Sequence, residues 1–131
     1  MRILIAEDDL TSRRFLFKLL SRYGDCDITV DGLEALDAFL MAVKDKKPYD
    51  LVCLDIMMPK VDGVKVLQTI RRIEKENGIK PAKQAKVIMI TALGETDYVQ
   101  QAFEIGCEAY AAKPIDTEKL IQVLQKLGLA E

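Results

Sequence analysis

The sequence predicts an α/β fold: a doubly wound, five-stranded parallel sheet of the (βα)5 kind over residues 1–131. Three observations carry this. Short apolar runs alternate five times with segments whose apolar residues recur at helical spacing. The first, third and fourth of those runs are continuously apolar, as strands are when helices cover both faces of a parallel sheet. The 131 residues, 50% hydrophobic and 31% charged, suit one domain with an ordinary globular composition.

The elements follow in order. Ile3–Ala6 reads as the first strand, and Leu16, Leu19, Leu20 and Tyr23 mark a helix that Gly24 stops. Cys26–Val30 is β-branched enough for a second strand. Asp31 and Glu34 resemble a capping box opening a helix with Leu36, Phe39, Leu40 and Val43 on one face. The polar loop Lys44–Pro48 leads to the third strand, Tyr49–Leu54. Asp62 and Gly63 open a helix carrying Val66, Leu67, Ile70 and Ile73, and Glu74–Ala85 reads as a polar connection. Val87–Ile90 is the fourth strand. A helix from about Glu95 to Ile105, with Val99, Ala102 and Phe103 inward, ends at Gly106. Ala109–Ala112 is a short fifth strand, and Asp116 caps a last helix with Leu120, Val123, Leu124 and Leu127 on one stripe. Right-handed crossovers then give the flavodoxin-like strand order 2-1-3-4-5, whose site lies at the carboxyl ends of strands 1 and 3.

Composition excludes several functions. The formal net charge is −2 and the basic residues are scattered, so direct nucleic-acid binding is not expected. No apolar run approaches the roughly 20 residues that span a bilayer. The N-terminus has no signal-peptide pattern, so a cytoplasmic location without membrane association is expected. Cys26, Cys53 and Cys107 are odd in number and far apart, which fits reduced thiols rather than a disulfide framework or zinc site. The absence of histidine removes a Ser-His-Asp triad, a His-ligated metal and an internal phosphohistidine.

The polar strand ends carry the chemistry. The first strand ends in Glu7, Asp8 and Asp9, the third in Asp55, the fourth in Thr91, and the fifth in Lys113 followed by Pro114. Asp8, Asp9 and Asp55 flank the switch point. Clustered carboxylates with waters suit Mg²⁺. A carboxylate can also take a phosphoryl group as a nucleophile, with lysine and hydroxyl offsetting its charge. No Walker-type glycine loop is present, so the donor comes from outside. Each residue alone has a plainer role: Asp8 or Asp9 as a helix cap, Thr91 as a strand former, Lys113 as a solvated charge, Tyr110 as partly core. Asp31, Asp62 and Asp116 keep the cap reading.

At these residues the sequence resembles the receiver domain of bacterial two-component response regulators, the CheY-like superfamily. The matching pieces are ILIAEDDLTSRR, DLVCLDIMMPKVDG, VIMITA and AYAAKP, in this order and spacing. The resemblance covers essentially the whole chain, so a single receiver domain at 1–131 with no effector domain is expected. It implies that Asp55 is the phospho-acceptor, Asp9 a direct Mg²⁺ ligand, Asp8 a ligand through water, and the Met57 backbone carbonyl a further ligand. It further implies that Thr91 and Tyr110 are switch residues, that Lys113 contacts the phosphoryl group, and that the Lys113–Pro114 bond is cis. The partner would be a sensor histidine kinase or a histidine phosphotransfer protein, and the output face the fourth helix, fifth strand and fifth helix. The last helix reads TEKLIQVLQKLG, without the arginine that dimerising relatives carry, so a monomer or a weak phosphorylation-dependent dimer is expected.

Competing readings fit less well. A haloacid-dehalogenase-type phosphatase needs an aspartate two residues after the nucleophile, where Met57 stands. A flavodoxin-like FMN carrier needs a hydroxyl-rich phosphate loop, where the chain has AEDDLT. A module cut from a longer transcription factor or enzyme remains an alternative parentage. The expected role is therefore a switch and not a turnover enzyme. Met57 and Leu93 border the approach of a hydrolytic water, and neither side chain can orient one. Either they slow the loss of the phosphoryl group or they extend an apolar rim for a partner.

Overall fold

The computed structural model describes residues 1–92 and 94–131. Its elements are β1 (Arg2–Ala6), α1 (Leu10–Leu20), β2 (Asp25–Thr29), α2 (Gly32–Lys44), β3 (Leu51–Asp55), α3 (Gly63–Glu76), β4 (Lys86–Thr91), α4 (Thr96–Ile105), β5 (Ala109–Ala112) and α5 (Thr117–Lys126), with a 3₁₀ turn at Pro81–Lys83. The strands form one parallel sheet in the order β2-β1-β3-β4-β5.

Side-chain alternation along the central strands splits the core in two. Leu4, Val52, Leu54, Val87 and Met89 face α2 and α3, where Phe39, Leu67 and Ile70 close over them. Ile3, Ile5, Cys53, Ile88 and Ile90 face the other way, onto Leu16 and Leu20 of α1 and Leu120 and Leu124 of α5. Each such fully buried aliphatic side chain stabilises the fold by about 1.5–3 kcal/mol. Cys53 and Cys107 are buried, Cys26 is half-buried, and all three are free thiols.

Four helices begin on an aspartate. Asp9, Asp31, Asp62 and Asp116 accept hydrogen bonds from the backbone N–H groups of Ser12, Glu34, Lys65 and Lys119 at 2.9, 2.8, 3.0 and 3.0 Å. The capping box at α2 is modified: Glu34 Oε1 accepts from Val30 N at 3.1 Å, one residue ahead of the cap itself.

Two expectations change. Phe103 of α4 is 44% exposed instead of inward. Its ring meets Tyr110 edge-on at 6.1 Å, so two half-covered aromatics shelter each other at the surface. The polar stretch from Glu74 is helical as far as Glu76, and Glu74 is buried. Arg71 explains why. Its guanidinium bonds Glu74 Oε1 at 2.7 Å and both oxygens of Glu108 at 3.0 Å. It also donates to the carbonyls of Ala85 at 2.9 Å and Gly106 at 3.1 and 2.8 Å. The two carboxylates in turn accept from Ala85 N at 2.8 Å and Val87 N at 2.6 Å. This network ties the end of α3, the start of β4 and the turn after α4 together, at the sheet edge opposite the polar strand ends.

The loop after Asp55 is held by backbone proximity. A Cβ on Gly63 would lie 2.2 Å from the Asp55 carbonyl oxygen and 2.9 Å from Ile56 Cα. Gly63 N also donates to Ile56 O at 2.7 Å. Only glycine lets α3 start this close to the strand. Gly63→Ala is expected to destabilise by about 1–3 kcal/mol, the usual cost of overpacking, or more because the obstructing atoms are backbone. A urea melt with unchanged midpoint would contradict this contact.

Candidate functional site

The site is built where four strands end. The β1 ladder runs one residue past Ala6, with Glu7 N donating to Thr29 O at 3.1 Å, and the Glu7 side chain is wholly buried. Asp55 is the last residue of β3 and is 4% exposed. Thr91 closes β4 and is buried. Lys113, one past β5, is held by its N–H on Thr91 O at 2.7 Å, and the Lys113–Pro114 peptide is cis. From there its ammonium reaches inward, 2.7 Å from Glu7 Oε1 and 3.2 Å from Asp55 Oδ2.

Among the described residues, the carboxylates of Glu7, Asp8 and Asp55 converge, with one oxygen of each within 4.8 Å of the others. Asp9, expected as a direct metal ligand, stands outside this cluster. It adjoins the first residue of α1, and its Oδ2 is engaged by Ser12 N, which also holds its carboxyl below the ordinary range. The acidic pair is therefore Glu7–Asp8, shifted by one residue from Asp8–Asp9. Three consecutive acids admit two pairs. No local pattern separates them, because Asp8 and Asp9 each stand three residues ahead of a hydroxyl residue, Thr11 and Ser12, and either could cap the helix.

Burial, then the hydrogen bond and charge of Glu7, push the Asp55 carboxyl up to about 8 against the opposing pull of Lys113. Burial pulls Lys113 down, but the bond to Glu7 and the Asp55 and Glu7 charges outweigh it and leave the ammonium more firmly protonated. An acid raised in the folded state stabilises the fold fully below its unfolded value of 3.8 and loses that contribution as pH rises through about 8. Metal-free wild type is thus expected to lose melting temperature relative to Asp55→Asn across this interval, and Mg²⁺ to reverse the loss. Parallel pH profiles for the two proteins would refute it.

The cluster fits a hard dication. Glu7 Oε2 is buried with no hydrogen-bond partner, an expensive condition that a cation or its bound water relieves. Met57 lies two residues beyond Asp55 with its side chain 46% exposed at the rim. Leu93 lies outside the described residues. Tyr110, expected to be partly core, is 51% exposed and leans on Phe103. The groove between α4, β5 and α5 beside it is about 250 Å³.

A flavodoxin-like sheet with an acidic cluster and a lysine at its strand ends defines the class. Residues 3–125 match the response regulator receiver domain, and the chain belongs to that family, the CheY-like receivers of two-component signalling. It is 32% identical over 124 residues to the chemotaxis protein CheY of Treponema pallidum (strain Nichols), covering 92% of this chain and 78% of that one. It is 34% identical over 122 residues to a probable chemotaxis protein CheY of Rhizobium etli, covering 92% and 86%. Some relatives are longer, the chain spanning 54% of one of them. Among solved structures it resembles the CheX–CheY–BeF3–Mg²⁺ complex from Borrelia burgdorferi, with a TM-score of 0.82, 28% identity and coverage of 98% and 89%. No helix among the described residues is long and apolar enough to cross a membrane.

Proposed function

We propose that this receiver is a phosphorylation-controlled signalling switch that takes a phosphoryl group on Asp55 from the phosphohistidine of a sensor kinase or a histidine phosphotransfer protein. The observation that carries the reading is the buried Asp55 carboxylate set beside the Lys113 ammonium and the orphaned Glu7 oxygen. An Asp55 oxygen attacks phosphorus. The new P–O bond forms as the P–N bond breaks, and the electron pair leaves with the imidazole, which is reprotonated by solvent. Lys113 offsets charge on the phosphoryl oxygens, and the Thr91 hydroxyl donates to one of them. Glu7, Asp8, Asp55 and the Met57 carbonyl would hold Mg²⁺, which supplies charge neutralisation to the transferring group. The structure of a relative with BeF3 and Mg²⁺ supports that cofactor.

The domain is a phosphoacceptor that assists its own chemistry, not a turnover enzyme on an external substrate. Its place is the cytoplasm, where kinases of this kind present their phosphohistidines. It acts as a monomer or a weak phosphorylation-dependent dimer. The output surface is α4, β5 and α5. Tyr110 turning inward from its half-exposed position as Thr91 is drawn toward the phosphoryl group would change that surface, so the modification biases an existing two-state element.

Acetyl phosphate with Mg²⁺ should add the mass of one phosphoryl group, and chelation should prevent it. Asp8→Asn should weaken Mg²⁺ binding by more than the roughly tenfold that loss of an outer-sphere partner costs. Asp9→Ala should leave that affinity near wild type and cost about 0.5–2 kcal/mol through loss of the α1 cap. This order reverses the one expected if Asp9 were the ligand. Calorimetric titration with Mg²⁺ separates the two, and a larger loss for the Asp9 variant would restore that expectation.

A further inference from the structure

The N-terminus of α4 differs from those of the other four helices. Its N-cap, Glu95, makes no side-chain bond to the helix. The carboxylate instead turns back, buried, and Oε1 accepts from Ala92 N at 2.5 Å. Strand geometry shows where that N–H points. The Ile90 carbonyl accepts from Ile56 N on the β3 side, and the Thr91 carbonyl accepts from Lys113 N on the β5 side. Backbone groups of successive strand residues alternate sides, so the Ala92 N–H falls on the β3 side, where Asp55 and Ile56 emerge. It is a donor at the mouth of the phosphorylation site, already occupied by an anion of the chain itself.

The two ends of α4 are held unequally. At the C-terminal end, the Gly106 carbonyl takes two bonds from Arg71 at 3.1 and 2.8 Å, and Ala102 is fully buried. Toward the N-terminal end, Tyr98 is exposed and Val99 half-buried. There the Ala92 N–H, donating to the Glu95 carboxylate, ties the start of the helix to the end of β4.

We propose that the Glu95 carboxylate is a latch on the Ala92 N–H, which a phosphoryl oxygen on Asp55 displaces, freeing the N-terminal end of α4 to move about its Arg71-anchored end. This rests on Asp55 being the phospho-acceptor. One N–H makes one strong bond, so carboxylate and phosphoryl compete for it, and two anions at one donor repel. The released carboxylate stays at the positive end of the α4 dipole, so its departure is partly compensated. Movement of α4 reaches the surface through Tyr98 and through Phe103, which packs on Tyr110.

The test uses beryllofluoride with Mg²⁺ as a phosphoryl mimic, titrated calorimetrically into the wild-type domain, Glu95→Gln and Glu95→Ala, with amide exchange followed at Ala92. Glu95→Ala is expected to bind the mimic roughly tenfold more tightly, the scale of one hydrogen bond to a charged group. Glu95→Gln keeps the acceptor without its charge and should fall between. The free Ala92 amide should exchange slowly in the wild type and in Glu95→Gln, and fast in Glu95→Ala. A merely structural Glu95 would leave affinity equal or lower on truncation, and either result overturns the latch. Should Glu95→Ala fail to fold, Glu95→Gln decides: binding no tighter than wild type overturns the latch. A wild type that binds no beryllofluoride overturns the phosphorylation reading itself, a failure distinct from mimic binding that is indifferent to Glu95.

Discussion

Asp55→Asn should reduce phosphoryl uptake from acetyl phosphate to background while leaving the fold intact. The amide has nearly the shape of the carboxylate but no nucleophilic oxygen, and the strand position that buries it accepts either. The change also removes a buried negative charge. Asp55 sits against the wholly buried Glu7, and among the described residues Lys113 is the cation that pairs with both, at 2.7 Å from Glu7 and 3.2 Å from Asp55. Without metal, ionising Asp55 beside the buried Glu7 is costly, as its carboxyl raised to about 8 reflects, and the amide avoids that cost, so the variant should melt at least as high as the wild type. Intact-mass measurement and a thermal melt read the two effects. Undiminished labelling of the variant would mean that the acceptor lies elsewhere, and a collapsed fold would mean that the carboxylate is structural.

The largest stability effect is expected at the opposite edge of the sheet. Arg71→Ala should cost about 3–5 kcal/mol, because it leaves Glu74, 1% exposed on its side chain, as an uncompensated buried charge. That is a large share of the roughly 5–15 kcal/mol by which domains are stable. Arg71→Lys should recover little, since a single ammonium cannot span two carboxylates and two carbonyls. Adding Glu74→Gln to Arg71→Ala should recover part of the loss by removing the stranded charge. Urea denaturation measures each step. A loss under about 1 kcal/mol for Arg71→Ala would place the network among exposed pairs that contribute little. Below the melting range, phosphoryl uptake should persist, because the network lies at the far end of the strands from Asp55.

How much of this was legible beforehand depends on whether the signal was periodic. Alternation and continuous apolar runs specify strands and their covered faces, so β5 has the expected bounds and the sheet the expected order. The other elements shift by a residue or two at their ends, where Asp25 joins β2 and Thr96 opens α4, because end residues are decided by ladder and cap bonds that periodicity does not register. The convergence of Asp55, Thr91 and Lys113 followed from topology, since parallel strands deliver their carboxyl ends to one edge.

Pairings between elements were not legible. Glu7, Asp8 and Asp9 are equivalent as letters. Which two face Asp55 depends on where the β1 ladder stops and α1 begins, a hydrogen-bonding decision made when Ser12 N claims Asp9. Glu74 read as part of a polar connection because its partners, the Arg71 guanidinium one turn earlier and the Ala85 N–H later in the chain, are gathered only when the end of α3 packs against the start of β4. Phe103 read as inward by helical spacing and Tyr110, in its plainer role, as partly core, yet each shelters the other at the surface. The sequence by itself determined the class of fold, the edge that bears the chemistry and the residue types gathered there, because these depend on local periodicity and strand direction. Only the tertiary structure decided which acids meet, which charge is buried with which partner, and that Glu95 reaches back to Ala92, because each depends on distances between residues that local sequence does not constrain.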